Sequence, residues 1–342
     1  MEKVVIFDIG DPKIKNNQIF DKTFAYNASH TLLPLCYLYD EAKKIGITFI
    51  TPDLFLESPE SFNGKRIFLI SHLVNSGTEN LIKLGAIPLI LLCQESPFIA
   101  TRFYVNLRKY SEPFKYSMLL PGMEKRVSNK TNFIPTLFPQ FYSNEQFKVT
   151  PFTEKKFITY IASNKSTKNL LKITLIKLLY GFDVKMIYPF RKKVIKFLSH
   201  RNDFDLYGKG WATEKLNYID KAYRGEVKNK EEKLRDYKFA LSLENAIFPG
   251  YITEKIFDCF FALSVPVYLG TPDIDEYIPR NTFINIKDFK SLDELVKFID
   301  SIDETAYNTY VENIKTFLKS DEYSKFSHQK FAETVIDLIK SS

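Results

Sequence analysis

The chain has 342 residues, 45% of them hydrophobic and 15% aromatic, enough for two domains with ordinary cores and too apolar for a disordered protein. Its formal charge of +7 is compatible with nucleotides, nucleic acid or an anionic membrane surface as partners, but the Lys and Glu residues are interspersed and no nucleic-acid motif accompanies them. Three cysteines (Cys36, Cys93, Cys259) and four histidines lie scattered, which argues against a disulfide framework or a zinc site and for buried thiols in a reducing compartment.

The chain enters a strand at once over residues 4–9, with no charged-then-apolar leader before it. Further strand-like runs at 47–50, 66–71 and 87–93 alternate with helical spacing at 32–45, closed by Gly46, and at 79–84, closed by Gly85. That rhythm predicts a mostly parallel sheet with covering helices. The longest apolar runs, such as 86–93, are too short to span a bilayer. Residues 111–156 carry Pro113, Pro121, Pro135, Pro139 and Pro151 and read as a connection between domains with a strand or two inside. Alternation then resumes, with strands at 157–162, 204–207, 239–243 and 265–269 and helices at 168–180, 230–236, 253–263 and 292–302. A helical stretch at 308–342 closes the chain. The basic run from Arg191 to Arg201, interleaved with Val194, Ile195, Phe197 and Leu198, suits an amphipathic helix whose cationic face is solvated or rests on a membrane. The expected class is α/β, with two Rossmann-like domains (1–150 and 151–342) facing a central cleft and ligands beyond the carboxyl ends of the strands.

Three constellations carry chemistry. The first is Leu243-Glu244-Asn245, a loop, Tyr251-Ile252-Thr253-Glu254-Lys255 and then Val265-Pro266-Val267-Tyr268-Leu269-Gly270, read as strand, loop, helix and strand. A helix N-terminus offers unpaired N–H groups and a positive dipole end, which suits a phosphate. Lys255 adds a full charge and Glu254 accepts hydrogen bonds from sugar or ribose hydroxyls. The same pattern also fits a plain surface helix capped by Thr253. The second is Ser163-Asn164 after the strand at 157–162, followed by Lys165, Lys168 and Lys172. The third is Gln94-Glu95-Ser96-Pro97, where a partly buried carboxylate at a strand end takes up a proton, or merely closes a turn before proline. Two Asp-x-Asp triplets, at 203–205 and 273–275, are of the metal-binding kind but recur often by chance.

Glu-Asn, Tyr-Ile-Thr-Glu-Lys, Val-Pro-Val-Tyr-Leu-Gly and Tyr277-Ile278-Pro279 together, dense over residues 234–290, resemble the signature of the α-1,3/4-fucosyltransferases, glycosyltransferase family 10. The resemblance implies a GT-B fold and inverting transfer of fucose from GDP-fucose to a glycan acceptor, through an α-1,3 linkage to GlcNAc of N-acetyllactosamine or lipopolysaccharide type. It implies donor binding by Asn245, Tyr251, Thr253, Glu254 and Lys255, with Glu244 either bonding the donor or only supporting the loop, further donor contacts from Ser163 and Asn164, and Glu95 as general base. The family commonly has an arginine after Ser-Asn that contacts the diphosphate. Here no arginine follows within that helix, and Lys168, near the expected helix start, stands in for it, without the planar fork of a guanidinium. Arg224 and Lys228, near a family loop beside the nucleotide, are unspecific. The triplet 273–275 matches a family loop not used for metal, so no obligatory metal or cofactor is expected. Eukaryotic members usually carry a membrane anchor before the catalytic region; a chain starting in a strand is expected to be a bacterial or viral cytoplasmic enzyme, peripheral to the inner membrane at most, or a trimmed piece of a longer protein. The rivals are a GT-B enzyme with another nucleotide sugar and a non-catalytic nucleotide- or glycan-binding module.

Overall fold

The computed structural model describes residues 2–11, 13–24, 32–140, 147–164, 185–212 and 217–342. Its contacts divide the chain into Met1–Phe141 with Ser324–Ser342, and Tyr142–Tyr323.

In the first unit the apolar runs become parallel strands: β1 (Lys3–Asp8), β2 (Ile47–Ile50), β3 (Arg66–His72), β4 (Ile87–Cys93), β5 (Tyr116–Leu119) and β6 (Asn132–Pro135). Their order in the sheet is β2-β1-β3-β4-β5-β6, with every pair parallel. A parallel sheet covered on both faces wants continuous apolar runs, and β4 (IPLILLC) is one. β5 and β6 arise inside the proline-rich stretch, so most of that expected connection belongs to the sheet itself. The helix Leu33–Lys44 buries Leu35, Cys36, Leu38 and Ala42. Against it packs the helix His328–Lys340, whose Phe331, Ala332, Val335, Ile336 and Ile339 join the same core as Val5 and Leu89. Lys3 Nζ fixes the end of that helix through the carbonyls of Ile339 (2.8 Å) and Lys340 (3.0 Å). Residues 324–342, expected to continue the second domain, thus complete the first.

The helical stretch expected over 308–342 is three helices, Glu304–Leu318, Asp321–Ser324 and His328–Lys340. Ser327 starts the last by accepting from Lys330 N–H at 3.1 Å, the ordinary work of a serine N-cap.

The second unit holds β7 (Lys156–Ile161), β8 (Lys185–Met186), β9 (Phe204–Tyr207), β10 (Tyr237–Leu243), β11 (Ala246–Ile247), β12 (Val265–Leu269) and β13 (Ile284–Asn285). Five of these form a parallel sheet in the order β13-β12-β10-β7-β9, while β8 and β11 make an antiparallel pair. The chain runs from β7 outward to β9, then returns to β10 on the other side of β7. The strand order therefore reverses between β7 and β10, and ligands of such sheets bind outside the carboxyl ends of the strands at this point. Ser163-Asn164 follow β7 and Glu244-Asn245 follow β10, so the topology brings two of the three constellations to neighbouring strand ends.

The bottom of the same sheet is held by a buried cation. Lys155 Nζ donates to the carbonyls of Arg235 (2.8 Å), Tyr237 (3.3 Å) and Leu263 (3.2 Å). Leu263 has a φ of 50°, costly for a leucine, and Tyr307 Oη also donates to its carbonyl at 2.8 Å. Burial lowers the Lys155 pKa to about 8.

Candidate active site

The helix Glu254–Phe261 starts where β10 ends, and its apolar residues Ile256, Phe257, Cys259 and Phe260 anchor it to the sheet. Glu244, the first residue after β10, is fully buried. Its backbone N–H donates to Leu269 O at 2.9 Å, continuing the ladder to β12, so the side chain has a fixed origin. Glu244 Oε1 accepts from Thr253 N–H (2.8 Å), and Oε2 accepts from Thr253 Oγ1 (2.8 Å) and Lys255 Nζ (3.1 Å). The helix is capped by this carboxylate reaching across nine residues; the Thr253 side chain makes no cap bond of its own. A buried carboxylate tolerates this setting because every bond it accepts comes from a donor aimed at its charge.

Lys255 Nζ has two further acceptors, Thr253 Oγ1 at 2.7 Å and Glu254 Oε1 at 3.3 Å. Its three N–H bonds are all directed into the protein. Burial opposes the Lys255 charge, but Glu244 and Glu254 outweigh it and hold the pKa well above the ordinary lysine range. For Glu254, burial pushes the pKa up, and Lys255 and Lys230 outweigh it, lowering it to about 2. Lys230 also pairs with Asp258 at 2.6 Å. Glu254 and Lys255 are therefore both ionised at neutral pH.

Asn245 Nδ2 donates to Tyr251 Oη at 3.4 Å, and its backbone carbonyl accepts from Ile187 N–H at 3.3 Å. Asn245 Oδ1 accepts from Arg191 Nη2 at 3.1 Å, and the same nitrogen donates to Leu243 O. Arg191 was expected only as part of a basic run on an amphipathic helix. It is 6% exposed, with the guanidinium 4.8 Å above the Tyr188 ring. A signal for it existed: Tyr188, Arg191, Val194, Ile195 and Leu198 are the buried residues of the helix Tyr188–Leu198, so Arg191 falls on its apolar stripe.

At the end of β7, Ser163 is exposed. Asn164 holds the neighbouring turn: its N–H donates to Lys209 O (2.8 Å) and its Nδ2 to Gly210 O (3.1 Å). Gly208 is required there, because its φ is 130° and a Cβ would stand 2.1 Å from Ala162 O. Lys168, with Lys165 and Lys172, lies outside the described residues.

Glu95 sits in the other unit, directly after Cys93 and Gln94 at the end of β4, and is half-buried. Its backbone carbonyl accepts from Tyr104 Oη at 2.8 Å, and Gln94 Nε2 donates to Leu137 O at 2.9 Å. The turn is therefore pinned from two sides. All three cysteines are free and buried; burial pushes Cys93 and Cys259 up to about 12, so neither is a nucleophile at neutral pH.

The Asp-x-Asp carboxylates have other work. Asp203 pairs with Arg201 (2.8 Å) and Asp205 with Arg224 (2.7 Å). Asp273 Oδ1 accepts from Gly250 N–H (3.1 Å) and from Thr271 Oγ1, tying the turn after β12 to the loop before Tyr251.

Residues 183–338 match the model of glycosyltransferase family 10 (fucosyltransferase), C-terminal part. An α-(1,3)-fucosyltransferase of Helicobacter pylori is 41% identical over 86 residues, 25% of this chain and 18% of that protein. A 4-galactosyl-N-acetylglucosaminide 3-α-L-fucosyltransferase 9 of Mus musculus is 43% identical over 84 residues, 23% of each. The chain thus spans less than a quarter of the length of these two relatives. The structure of an α1,3-fucosyltransferase with GDP-fucose is similar at a TM-score of 0.53 and 18% identity, over 99% of this chain and 90% of that one. That likeness is one of fold, and it bears out the α/β, GT-B class expected from the strand rhythm and the signature. The segment 183–338, which contains the whole Glu244–Lys255 constellation, is what places this chain beside the fucosyltransferases of glycosyltransferase family 10.

Proposed function

We propose that this chain transfers fucose from GDP-fucose to a glycan acceptor with inversion, making an α-1,3 linkage to GlcNAc of N-acetyllactosamine or lipopolysaccharide type. One observation carries the reading: the Glu244–Thr253–Lys255 network organises a helix N-terminus at the sheet's switch point, inside the segment that matches the family. The names of the relatives, and the GDP-fucose of the similar structure, support the sugar, the linkage and the donor.

In this reading the second unit holds the donor through Glu244, Asn245, Tyr251, Thr253, Glu254 and Lys255, with Ser163, Asn164 and Lys168 from the β7 side. Glu95 takes the proton of the acceptor hydroxyl as its oxygen bonds to the anomeric carbon, while the bond to the β-phosphate breaks and GDP departs. One displacement on a β-configured donor gives the α product. Cationic side chains and the helix end balance the charge growing on the diphosphate, so the reaction needs no metal. No helix among the described residues is long and apolar enough to cross a membrane. We place the enzyme in the cytoplasm, with the exposed Lys193 and Lys196 as its contact with an anionic inner-membrane surface.

The test is a donor and acceptor screen read by mass spectrometry. GDP-fucose with N-acetyllactosamine should give a product heavier by one fucose, and GDP-mannose and UDP-sugars should give none. Transfer from a UDP-sugar, or GDP binding without any transfer, would replace this reading with one of its rivals.

A further inference from the structure

We propose that Arg191, outside every motif of the family signature, is the side chain that grips the diphosphate of the nucleotide-sugar donor; this rests on the donor reading above.

The two cations near this helix start differ in how many hydrogen bonds they have left to give. Lys255, the cation of the signature, spends all three N–H bonds on Glu244, Thr253 and Glu254. Arg191 spends one nitrogen, Nη2, on the neutral acceptors Leu243 O and Asn245 Oδ1. Its Nε is buried with no hydrogen-bond partner among the described residues. It pairs with no carboxylate among the described residues, although it is 6% exposed. A buried guanidinium without a counter-ion is expensive to keep. Its position adds to the cost, because it lies in the first turn of the helix Tyr188–Leu198, where the dipole favours an anion.

The surroundings repeat the request for negative charge. Lys255 is near enough for its charge to be felt as repulsion from Arg191. Tyr160, on β7, has a buried hydroxyl with no partner among the described residues, and it feels the positive charge of both Arg191 and Lys255. An unpaired guanidinium, an orphaned phenol and a helix N-terminus thus converge at the carboxyl ends of β7 and β10. A diphosphate has the charge and the oxygens to satisfy them, and a guanidinium fork fits phosphate oxygens better than an ammonium does.

The experiment measures binding of GDP, inorganic pyrophosphate and guanosine to the full chain by calorimetry, for wild type, Arg191→Gln and Arg191→Lys. Gln keeps a donor for Leu243 O without the charge. GDP and pyrophosphate affinity should fall at least 30-fold in Arg191→Gln and less in Arg191→Lys, with guanosine affinity unchanged within twofold. Equal losses for all three ligands, or unchanged pyrophosphate affinity, would overturn the assignment. If both variants fail to fold, a wild-type crystal soaked with inorganic pyrophosphate decides: a guanidinium–phosphate contact supports the proposal and its absence refutes it. Wild-type protein that binds pyrophosphate but not GDP would sink the donor reading while leaving the Arg191 contact open to the same comparison.

Discussion

Two strand ends carry a glutamate, and the protein treats them in opposite ways. Glu244, after β10, is fully buried and accepts from a backbone N–H, a hydroxyl and an ammonium. Glu95, after β4, is half-buried, and the bonds that fix its turn run to its backbone carbonyl. A carboxylate wrapped in three directed donors is held in one place, which suits an organiser of local structure. A half-buried carboxylate on a backbone pinned in this way suits proton transfer. The position after a buried strand therefore does not decide the role; the partners do.

The sharpest way to break this comparison is to exchange the proton chemistry at Glu95. Glu95→Gln keeps shape and turn while removing the base, and turnover with GDP-fucose should fall by roughly 10²–10⁴-fold, the usual worth of general base catalysis. GDP affinity should stay within about twofold, since Glu95 lies in the other unit from the donor residues. Steady-state rates with calorimetry check both; full turnover in the variant would strip Glu95 of its role.

Glu244 should show the converse. Glu244→Ala leaves Lys255 and the Thr253 N–H without their shared partner, and breaking a buried pair from one side costs about 3–5 kcal/mol. Denaturant unfolding should show that loss, with GDP affinity falling alongside it because the helix start loses its cap. A variant as stable as wild type would mean that the network is ornamental. Thr253→Val is gentler: it removes one hydroxyl between Glu244 and Lys255 while keeping the backbone N–H bond, and should cost about 1–2 kcal/mol. Thr253→Ser should restore nearly all of it, and failure to do so would show that the methyl group, not the hydroxyl, matters.

Much of this was legible in the residues. β2 and β4 coincide with their expected ranges, and Thr253 stands as expected at the start of its helix, because strong β-branched runs and turn residues speak locally. What escaped depends on contacts far along the chain. The periodicity of 328–340 reveals an apolar face but not that its core is the one under Leu35 and Leu38. The strand or two expected among the prolines are present as β5 and β6, but that they join the first sheet depends on neighbours that a four-residue strand cannot announce. Thr253 read as an ordinary cap, yet its hydroxyl donates to Glu244, a partner nine residues back that spacing rules do not name. Arg191 was hidden by its type, since arginine in a basic run implies solvent and only its place on the apolar stripe says otherwise.

Asp205 in β9 supplies a third case that sharpens the contrast, a carboxylate buried yet paired with half-exposed cations. Tyr237 Oη donates to its Oδ2 at 2.6 Å, Lys156 lies 3.3 Å from the same oxygen, and Arg224 Nε lies 2.7 Å from Oδ1. Burial pushes its pKa up, but Tyr237, Lys156 and Arg224 outweigh burial and hold it below the ordinary aspartate value of 3.8. The folded state therefore binds this proton less readily than the unfolded chain does. The resulting stability is present in full above pH 3.8 and is lost as pH falls through the lower folded value. Asp205→Asn should accordingly destabilise at pH 7 by about 1–3 kcal/mol, the range for a hydrogen bond to a charged group, and by less at pH 2. Urea unfolding of both proteins across that interval measures the difference directly. Parallel curves would mean that Asp205 titrates alike folded and unfolded, and that its two cations, at 61% and 41% side-chain exposure, are too well hydrated to hold its proton off.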